Sequence, residues 1–202
     1  MSSQSKASGK QRRKGFSRGE KIVGLVILVV AIWAIYSFAQ PSLPSNPTTT
    51  NIPITTTGAS GAPDFTLPVV GSNGLTGEKI SLSQFKGKVV FLEFMVPWCG
   101  HCQNMAPVLE NLYKQYGPQN VVFISVSGAW NGATVDDAAQ FIRTYHSDWI
   151  YVYDSSGGVF NSYGVTATPT FFIITKNGVI ATTYSGEVAF EILAADLIRL
   201  NS

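Results

Sequence analysis

The chain contains two cysteines, Cys99 and Cys102, and both lie in residues 97–102, which have the sequence PWCGHC. The preceding residues, 89–95, are apolar apart from one glutamate and predict a strand buried on both faces. The following residues carry apolar side chains three and four positions apart and predict a helix. The two cysteines are therefore expected where a buried strand turns into a helix.

This location favours a reactive thiol. A helix N-terminus offers unpaired N–H groups and a partial positive charge, and both lower the pKa of a cysteine placed there. Because the thiolate is the nucleophilic form, Cys99 is predicted to be the attacking sulfur. Cys102, three residues further along the same helical face, is close enough to close a small disulfide ring with it.

Three other uses of the cysteine pair fit less well. A structural disulfide needs no helix start, and a loop of two residues constrains little of the unfolded chain. A zinc site needs four ligands, whereas the whole chain has two cysteines and two histidines. A c-type haem site needs histidine directly after the second cysteine, and Gln103 stands there.

His101, between the two cysteines, bears on the redox balance. A cation near a helix N-terminus opposes the helix dipole, and it becomes favourable there only when Cys99 is a thiolate. The disulfide form offers no such anion. His101 is therefore predicted to stabilise the reduced state and to make the disulfide a better oxidant, which argues against a strong general reductant.

The N-terminal part predicts a membrane anchor. Residues 1–21 contain seven Lys or Arg and one acid, and residues 22–39 form 18 positions without a charge. As a helix these would span about 27 Å, close to the thickness of a hydrocarbon core. The basic flank predicts a cytoplasmic N-terminus, an exported C-terminal part and no nucleic-acid partner. A cleaved signal peptide is the alternative, with residues 37–39 as its cleavage site.

The remainder is predicted to be a linker and one folded domain. Residues 40–62 are rich in Pro, Ser and Thr and predict an extended tether. From residue 63 to 202, strand and helix patterns alternate, which indicates an α/β layered sheet of mixed direction. The predicted strands are 64–70, 80–82, 89–95, 121–126, 149–153, 170–175 and 179–183, and the predicted helices are 102–116, 136–145 and a C-terminal helix with Phe190, Leu193, Leu197 and Leu200.

With these residues, the chain resembles the thioredoxin superfamily over residues 63–202. Residues 62–67 and 81–88 are similar to the opening of its redoxin branch, which contains peroxiredoxins and membrane-tethered thioredoxin-like proteins of cytochrome c maturation. Residues 97–102 resemble the active site of protein disulfide isomerase. Pro107 and the pair Thr168–Pro169 fall where the family has a helix-kinking proline and a cis-proline loop.

The resemblance implies a thioredoxin-like fold: a central mixed sheet flanked by helices, here preceded by one transmembrane helix. It implies a cis bond before Pro169 and places the backbone of Thr168 opposite Cys99, where an extended substrate can pair like an added strand. Trp98 is assigned with these two residues to substrate binding.

The resemblance also assigns Glu93 to the family's buried acid beneath the dithiol. Its implied role is to exchange a proton with Cys102. The alternative is a carboxylate paired with a lysine, although residues 121–126 have no lysine where thioredoxins pair one with this acid. The peroxiredoxin pattern of Pro, Thr and then a reactive Cys is absent, because Pro97 lies only two residues before Cys99.

The function predicted from the sequence is a membrane-anchored, extracytoplasmic thiol–disulfide oxidoreductase that acts on protein cysteines, with an oxidase or isomerase direction. The redox-active disulfide Cys99–Cys102 is predicted to act without a bound cofactor or metal, and a membrane or soluble thiol partner to regenerate it. One alternative is a dedicated disulfide reductant in cytochrome c maturation. Another is a redox-inactive, chaperone-like protein that binds extended chains beside Thr168 and Pro169.

Overall fold

The computed structural model describes residues 61–202. These residues form seven strands and four α-helices: β1 (Thr66–Gly71), β2 (Gly74–Ser81), β3 (Val89–Phe94), α1 (Gly100–Tyr116), β4 (Val121–Gly128), α2 (Val135–Tyr145), β5 (Ile150–Asp154), α3 (Gly158–Ser162), β6 (Thr170–Ile174), β7 (Ile180–Ser185) and α4 (Phe190–Asn201).

The strands form one mixed sheet with the order β2-β1-β5-β4-β3-β6-β7. Strand β3 lies inside it, parallel to β4 on one side and antiparallel to β6 on the other. All six residues of β3 are buried, as its continuous apolar pattern predicts. The cysteines therefore follow directly after a fully buried strand of the sheet.

Two hydrophobic clusters cover the two faces of the sheet. The first joins alternate β3 residues such as Phe91 to buried side chains of α1, α2 and α4. The second joins the other β3 residues, such as Leu92 and Phe94, to α3 and to residues that precede β1 and β3. Because successive side chains of a strand point to opposite faces, Glu93 shares the α1 face with Phe91.

Most of the predicted elements are confirmed, but one strand begins earlier than predicted and one helix was not predicted. Strand β2 begins at Gly74 rather than at Ile80. Residues 75–79 are all exposed and show no alternation of apolar and polar side chains, so they carry no strand pattern in the sequence. Helix α3 was not predicted. It has only five residues, and the Asp154 carboxylate holds its start by accepting from the backbone N–H groups of Val159 and Phe160 at 2.7 and 3.2 Å.

The predicted cytoplasmic tail and transmembrane helix, and most of the predicted linker, lie outside the described residues. Within residues 61–202, no helix has the length and apolar character needed to cross a bilayer.

Candidate active site

Cys99 and Cys102 occupy the start of α1 and differ in their access to solvent. Cys99 is the N-cap residue of the helix, and its Sγ accepts a hydrogen bond from the backbone N–H of Cys102 at 3.3 Å. Both cysteines are free thiols, Cys99 partly exposed and Cys102 only 1% exposed. The sulfur of a substrate can therefore contact Cys99 directly. Cys102 is shielded from solvent and can react with a substrate sulfur only after that sulfur is bound to Cys99.

The peptide bond between Thr168 and Pro169 is cis, as the resemblance implies. The thiol of Cys99 donates to the carbonyl oxygen of Thr168 at 3.3 Å, so this loop lies directly against the outer sulfur. The carbonyl of Pro169 accepts from the backbone N–H of Gly186 at 2.8 Å, which ties the loop to the segment after β7.

Glu93 lies in the buried centre of the sheet and is 2% exposed. The hydroxyl of Ser125, its register partner on β4, donates to Glu93 Oε2 at 2.5 Å, and the indole N–H of Trp149 donates to Ser125 Oγ at 2.8 Å. Burial raises the pKa of the Glu93 carboxyl from 4.5 to about 7, although the Ser125 hydrogen bond opposes that rise.

The alternative prediction, a lysine partner for Glu93, was wrong. Among residues 61–202, the salt bridges join other side chains, and the polar contact of the Glu93 carboxyl is with Ser125. A buried carboxylate without a cation prefers its neutral form near neutral pH, and it is thereby suited to hold and release a proton.

The thiol of Cys102 needs such a proton acceptor. Burial is the largest cause that raises the pKa of Cys102 well above its usual range, and the negative charge of Glu93 adds to it. Cys102 therefore stays a thiol until a base removes its proton, and the titration of Glu93 is coupled to that of Cys102.

His101 is exposed and is hydrogen-bonded to a carboxylate across the mouth of the site. Its Nδ1 lies 2.7 Å from Oε1 of Glu187, a residue of the loop between β7 and α4. The side-chain amide of Asn104 donates to the same Oε1 at 2.8 Å. The hydrogen bonds from Asn104 and His101 lower the pKa of the Glu187 carboxyl, so this group is a carboxylate at neutral pH.

Trp98 is 47% exposed beside the dithiol. It borders a groove of about 240 Å³ between the start of α1 and helix α2, which Pro97, Gln103, Phe141 and Tyr145 also line. The side-chain amide of Gln103 donates to the carbonyl of Pro97 at 2.9 Å and fixes one wall of the groove.

Residues 57–197 match the protein family described as Redoxin. The chain belongs to the Redoxin family. Relatives with curated names include the thiol-disulfide oxidoreductase ResA of Bacillus subtilis (strain 168), 32% identical over 141 residues that cover 70% of this chain and 74% of that protein. The ResA of Bacillus thuringiensis subsp. konkukian is 33% identical over 139 residues, 69% of this chain and 76% of that protein.

Solved structures of two bacterial proteins are similar to this Redoxin-family chain. One, from Chlorobium tepidum, is described as a thiol:disulfide interchange protein DsbE and has a TM-score of 0.63 and 27% identity, over 71% of this chain and 97% of that one. The other is the exposed lipoprotein thioredoxin Etrx1 of Streptococcus pneumoniae, with a TM-score of 0.56 and 26% identity, over 68% of this chain and 100% of that one.

These similarities confirm two predictions for this member of the Redoxin family. Its fold is the α/β thioredoxin-like fold with a mixed sheet flanked by helices. Its enzyme class is thiol–disulfide oxidoreductase.

Three residues that support the predicted site residues of this Redoxin-family domain were not predicted from the sequence. Ser125 donates to Glu93, Trp149 donates to Ser125, and Glu187 is hydrogen-bonded to His101. Ser125 was readable only as the polar interruption of an apolar strand. Glu187 lies 86 residues from its partner in a loop, and no local pattern points to it.

Proposed function

We propose that the chain is a membrane-anchored, extracytoplasmic oxidoreductase that exchanges thiols and disulfides with the cysteines of other proteins. The observation that carries the proposal is the placement of Cys99: a partly exposed sulfur at a helix N-cap, 3.3 Å from the carbonyl oxygen of Thr168. Cys102 lies buried behind it as the second sulfur. The dithiol needs no cofactor for this chemistry, because both electrons are carried by the sulfur atoms.

In the oxidising direction, the thiolate of a substrate cysteine attacks Sγ of Cys99 and the Cys99–Cys102 bond breaks. Cys102 leaves as a thiolate and takes a proton from Glu93. A second substrate thiolate then attacks the first substrate sulfur, and Cys99 leaves as a thiolate. The substrate has lost two electrons to the dithiol. Reduction of a substrate disulfide runs through the same steps in reverse, with Glu93 accepting the proton of Cys102.

Substrate binding is proposed for Trp98, Thr168 and Pro169. The backbone of Thr168 lies against the outer sulfur, so an extended segment there would pair with the loop as an added strand does. The exposed ring of Trp98, which directly precedes Cys99 in the chain, offers apolar area for the substrate. The substrate class is therefore a flexible or unfolded segment that contains a cysteine.

His101 supports the oxidase or isomerase direction. A protonated imidazole beside the N-cap favours the Cys99 thiolate over the disulfide, which makes the disulfide a better oxidant. The sequence of residues 97–102, with its resemblance to protein disulfide isomerase, supports the same direction.

A dedicated reductant, fed by a membrane or soluble thiol partner, is the second candidate. One specific observation favours it. The carboxylate of Glu187 lies 2.7 Å from the imidazole and offsets the positive charge of a protonated His101. When this positive charge is offset, the Cys99 thiolate is stabilised less and the disulfide is a weaker oxidant.

The redox potential separates the two candidates. We expect the purified full-length chain, equilibrated against glutathione buffers, to have a potential well above the value of about −270 mV of a general thioredoxin. We also expect it to oxidise and reshuffle a reduced, unfolded test protein. In His101→Ala, the potential should fall. A wild-type potential at or below that of thioredoxin would exclude the oxidase or isomerase direction and support the reductant. If the wild type oxidises and reshuffles the test protein no faster than a Cys99→Ser control, the chaperone-like binder is the remaining candidate.

The membrane anchor makes a separate prediction. The seven basic residues before the uncharged segment 22–39 support a cytoplasmic N-terminus. Protease added outside intact cells, once any wall or outer membrane is opened, should therefore release a soluble redox domain by cutting within residues 40–62. If the domain is protected while the N-terminal tail is cut, the proposed orientation is wrong. If the domain is soluble before protease is added, a cleaved signal peptide replaces the anchor.

A further inference from the structure

We propose that Glu187 is a positioning residue that fixes the tautomer and orientation of His101, so that the neutral imidazole offers its Nε2 as a proton acceptor at the mouth of the redox site. The inference rests on the proposed function, because the proton that Nε2 would accept is that of an incoming substrate thiol.

The contacts of Glu187 determine which imidazole nitrogen carries hydrogen. An ionised carboxylate only accepts hydrogen bonds. Oε1 of Glu187 contacts Nδ1 of His101 at 2.7 Å, so Nδ1 must be the donor. The amide of Asn104 donates to the same oxygen at 2.8 Å and lies three residues from His101 on the same face of α1. In its neutral form, His101 then has its free lone pair on Nε2.

The loop that carries Glu187 is held on both sides. The backbone N–H of Gly186 donates to the carbonyl of Pro169 at 2.8 Å, and that of Val188 points at Sδ of the buried Met105 at 3.4 Å. Glu187 therefore extends from a segment fastened to both the cis-proline loop and helix α1. A carboxylate on such a segment can hold an exposed side chain in one orientation.

A base at this position has a defined task. A substrate cysteine arrives mostly as a thiol, and only its thiolate attacks a disulfide. Nε2 takes the proton of that thiol, the substrate sulfur bonds to Sγ of Cys99, the Cys99–Cys102 bond breaks, and the electron pair goes to Cys102. The arrangement of a base that is oriented by a third group is the one that activates nucleophiles in other enzymes. Here the activated nucleophile belongs to the substrate.

The direct test is the tautomer. In the full-length chain labelled with ¹⁵N in histidine, the spectrum of the neutral form of His101 should show a protonated Nδ1 and an unprotonated Nε2. Glu187→Ala should lose this Nδ1-protonated signature, whereas Glu191→Ala should keep it, because Glu191 is an exposed acid in the first turn of α4 that does not bond to His101. An Nε2-protonated His101 in the wild type overturns the proposal.

The second readout is the rate at which the oxidised protein forms a mixed disulfide with an ordinary small thiol. Glu187→Ala should slow it by about two- to fivefold, which is within the range that one hydrogen bond contributes. The same substitution in a His101→Asn background should have no further effect. Equal slowing in both backgrounds would mean that Glu187 acts without His101. The potential and oxidase activity of the wild type are measured apart from these variants, so the proposed function can stand when this inference fails.

Discussion

Replacement of Cys102 by serine should stop turnover and leave substrate proteins covalently attached to Cys99. Cys99 keeps its place at the helix N-cap and its partial exposure in this variant, so its attack on a substrate disulfide proceeds. The buried sulfur that would attack the mixed disulfide is missing. Loss of an intramolecular nucleophile should reduce turnover by more than about 1000-fold, because an external thiol must then replace a group with a high effective concentration.

The trapped species are measured on non-reducing gels and identified by mass spectrometry after release with a reductant. Cys99→Ser and the double variant serve as controls and should trap nothing. Adducts that persist in the Cys99→Ser control would show that Cys102 is the attacking sulfur. Exported proteins with cysteines should dominate among the trapped partners if the domain is extracytoplasmic, and a set of cytoplasmic proteins would contradict the proposed topology.

Glu93→Gln should make the folded chain more stable, and the gain should depend on pH. The folded-state pKa of Glu93 is raised from 4.5 to about 7 by burial. Above pH 4.5 the unfolded chain releases this proton while the folded chain retains it, so the wild type loses stability as the pH rises. The loss is complete above about pH 7. A shift of this size corresponds to about 3 kcal/mol.

Glutamine has no titrating proton, so the stability gap between Glu93→Gln and the wild type should widen by about 3 kcal/mol from pH 4 to pH 8. Chemical unfolding curves at several pH values measure the gap directly. Glu78→Gln, on the exposed strand β2, is the matched control and should leave the gap flat. A Glu93→Gln variant that is destabilised at every pH would show that the carboxylate is needed for folding.

The same substitution should separate the two chemical steps. Cys102 cannot ionise readily by itself, because burial and the nearby Glu93 charge raise its pKa. Removing the base should slow resolution of a preformed mixed disulfide by about 100-fold, the low end for general acid–base catalysis. The first attack by Cys99 should be nearly unchanged. Equal slowing of both steps would mean that Glu93 acts through the structure of the whole site.

The sequence was most informative where a local pattern of apolar residues is compatible with only one type of secondary structure. The apolar run of β3 and the helical spacing after the cysteines predicted the strand–helix junction that holds the dithiol. The cis bond before Pro169 was predicted from the resemblance, since the cis form is uncommon among proline bonds in general. These features depend on neighbours in the chain or on motifs shared across the superfamily.

The sequence was least informative where a contact joins distant residues. Glu93 was predicted to be buried, but its partner Ser125, and Trp149 that donates to Ser125, come from later parts of the chain. Glu187 meets His101 only because the loop after β7 passes the start of α1. The start of helix α3 is held by the carboxylate of Asp154 at the end of β5, and a five-residue helix is too short to show periodicity.

The hydrogen bonds of Ser125 run in one direction only. An indole N–H can donate but cannot accept, so Trp149 occupies a lone pair of the Ser125 hydroxyl. The single hydrogen of that hydroxyl is then committed to Oε2 of Glu93. Oε2 thereby accepts a hydrogen bond, and because an unprotonated carboxyl oxygen is the stronger acceptor, a proton that enters the carboxyl group is favoured on Oε1. The two oxygens of the Glu93 carboxyl group thus differ in role: Oε2 holds the group to the sheet through Ser125, and Oε1 is the favoured site of the exchangeable proton.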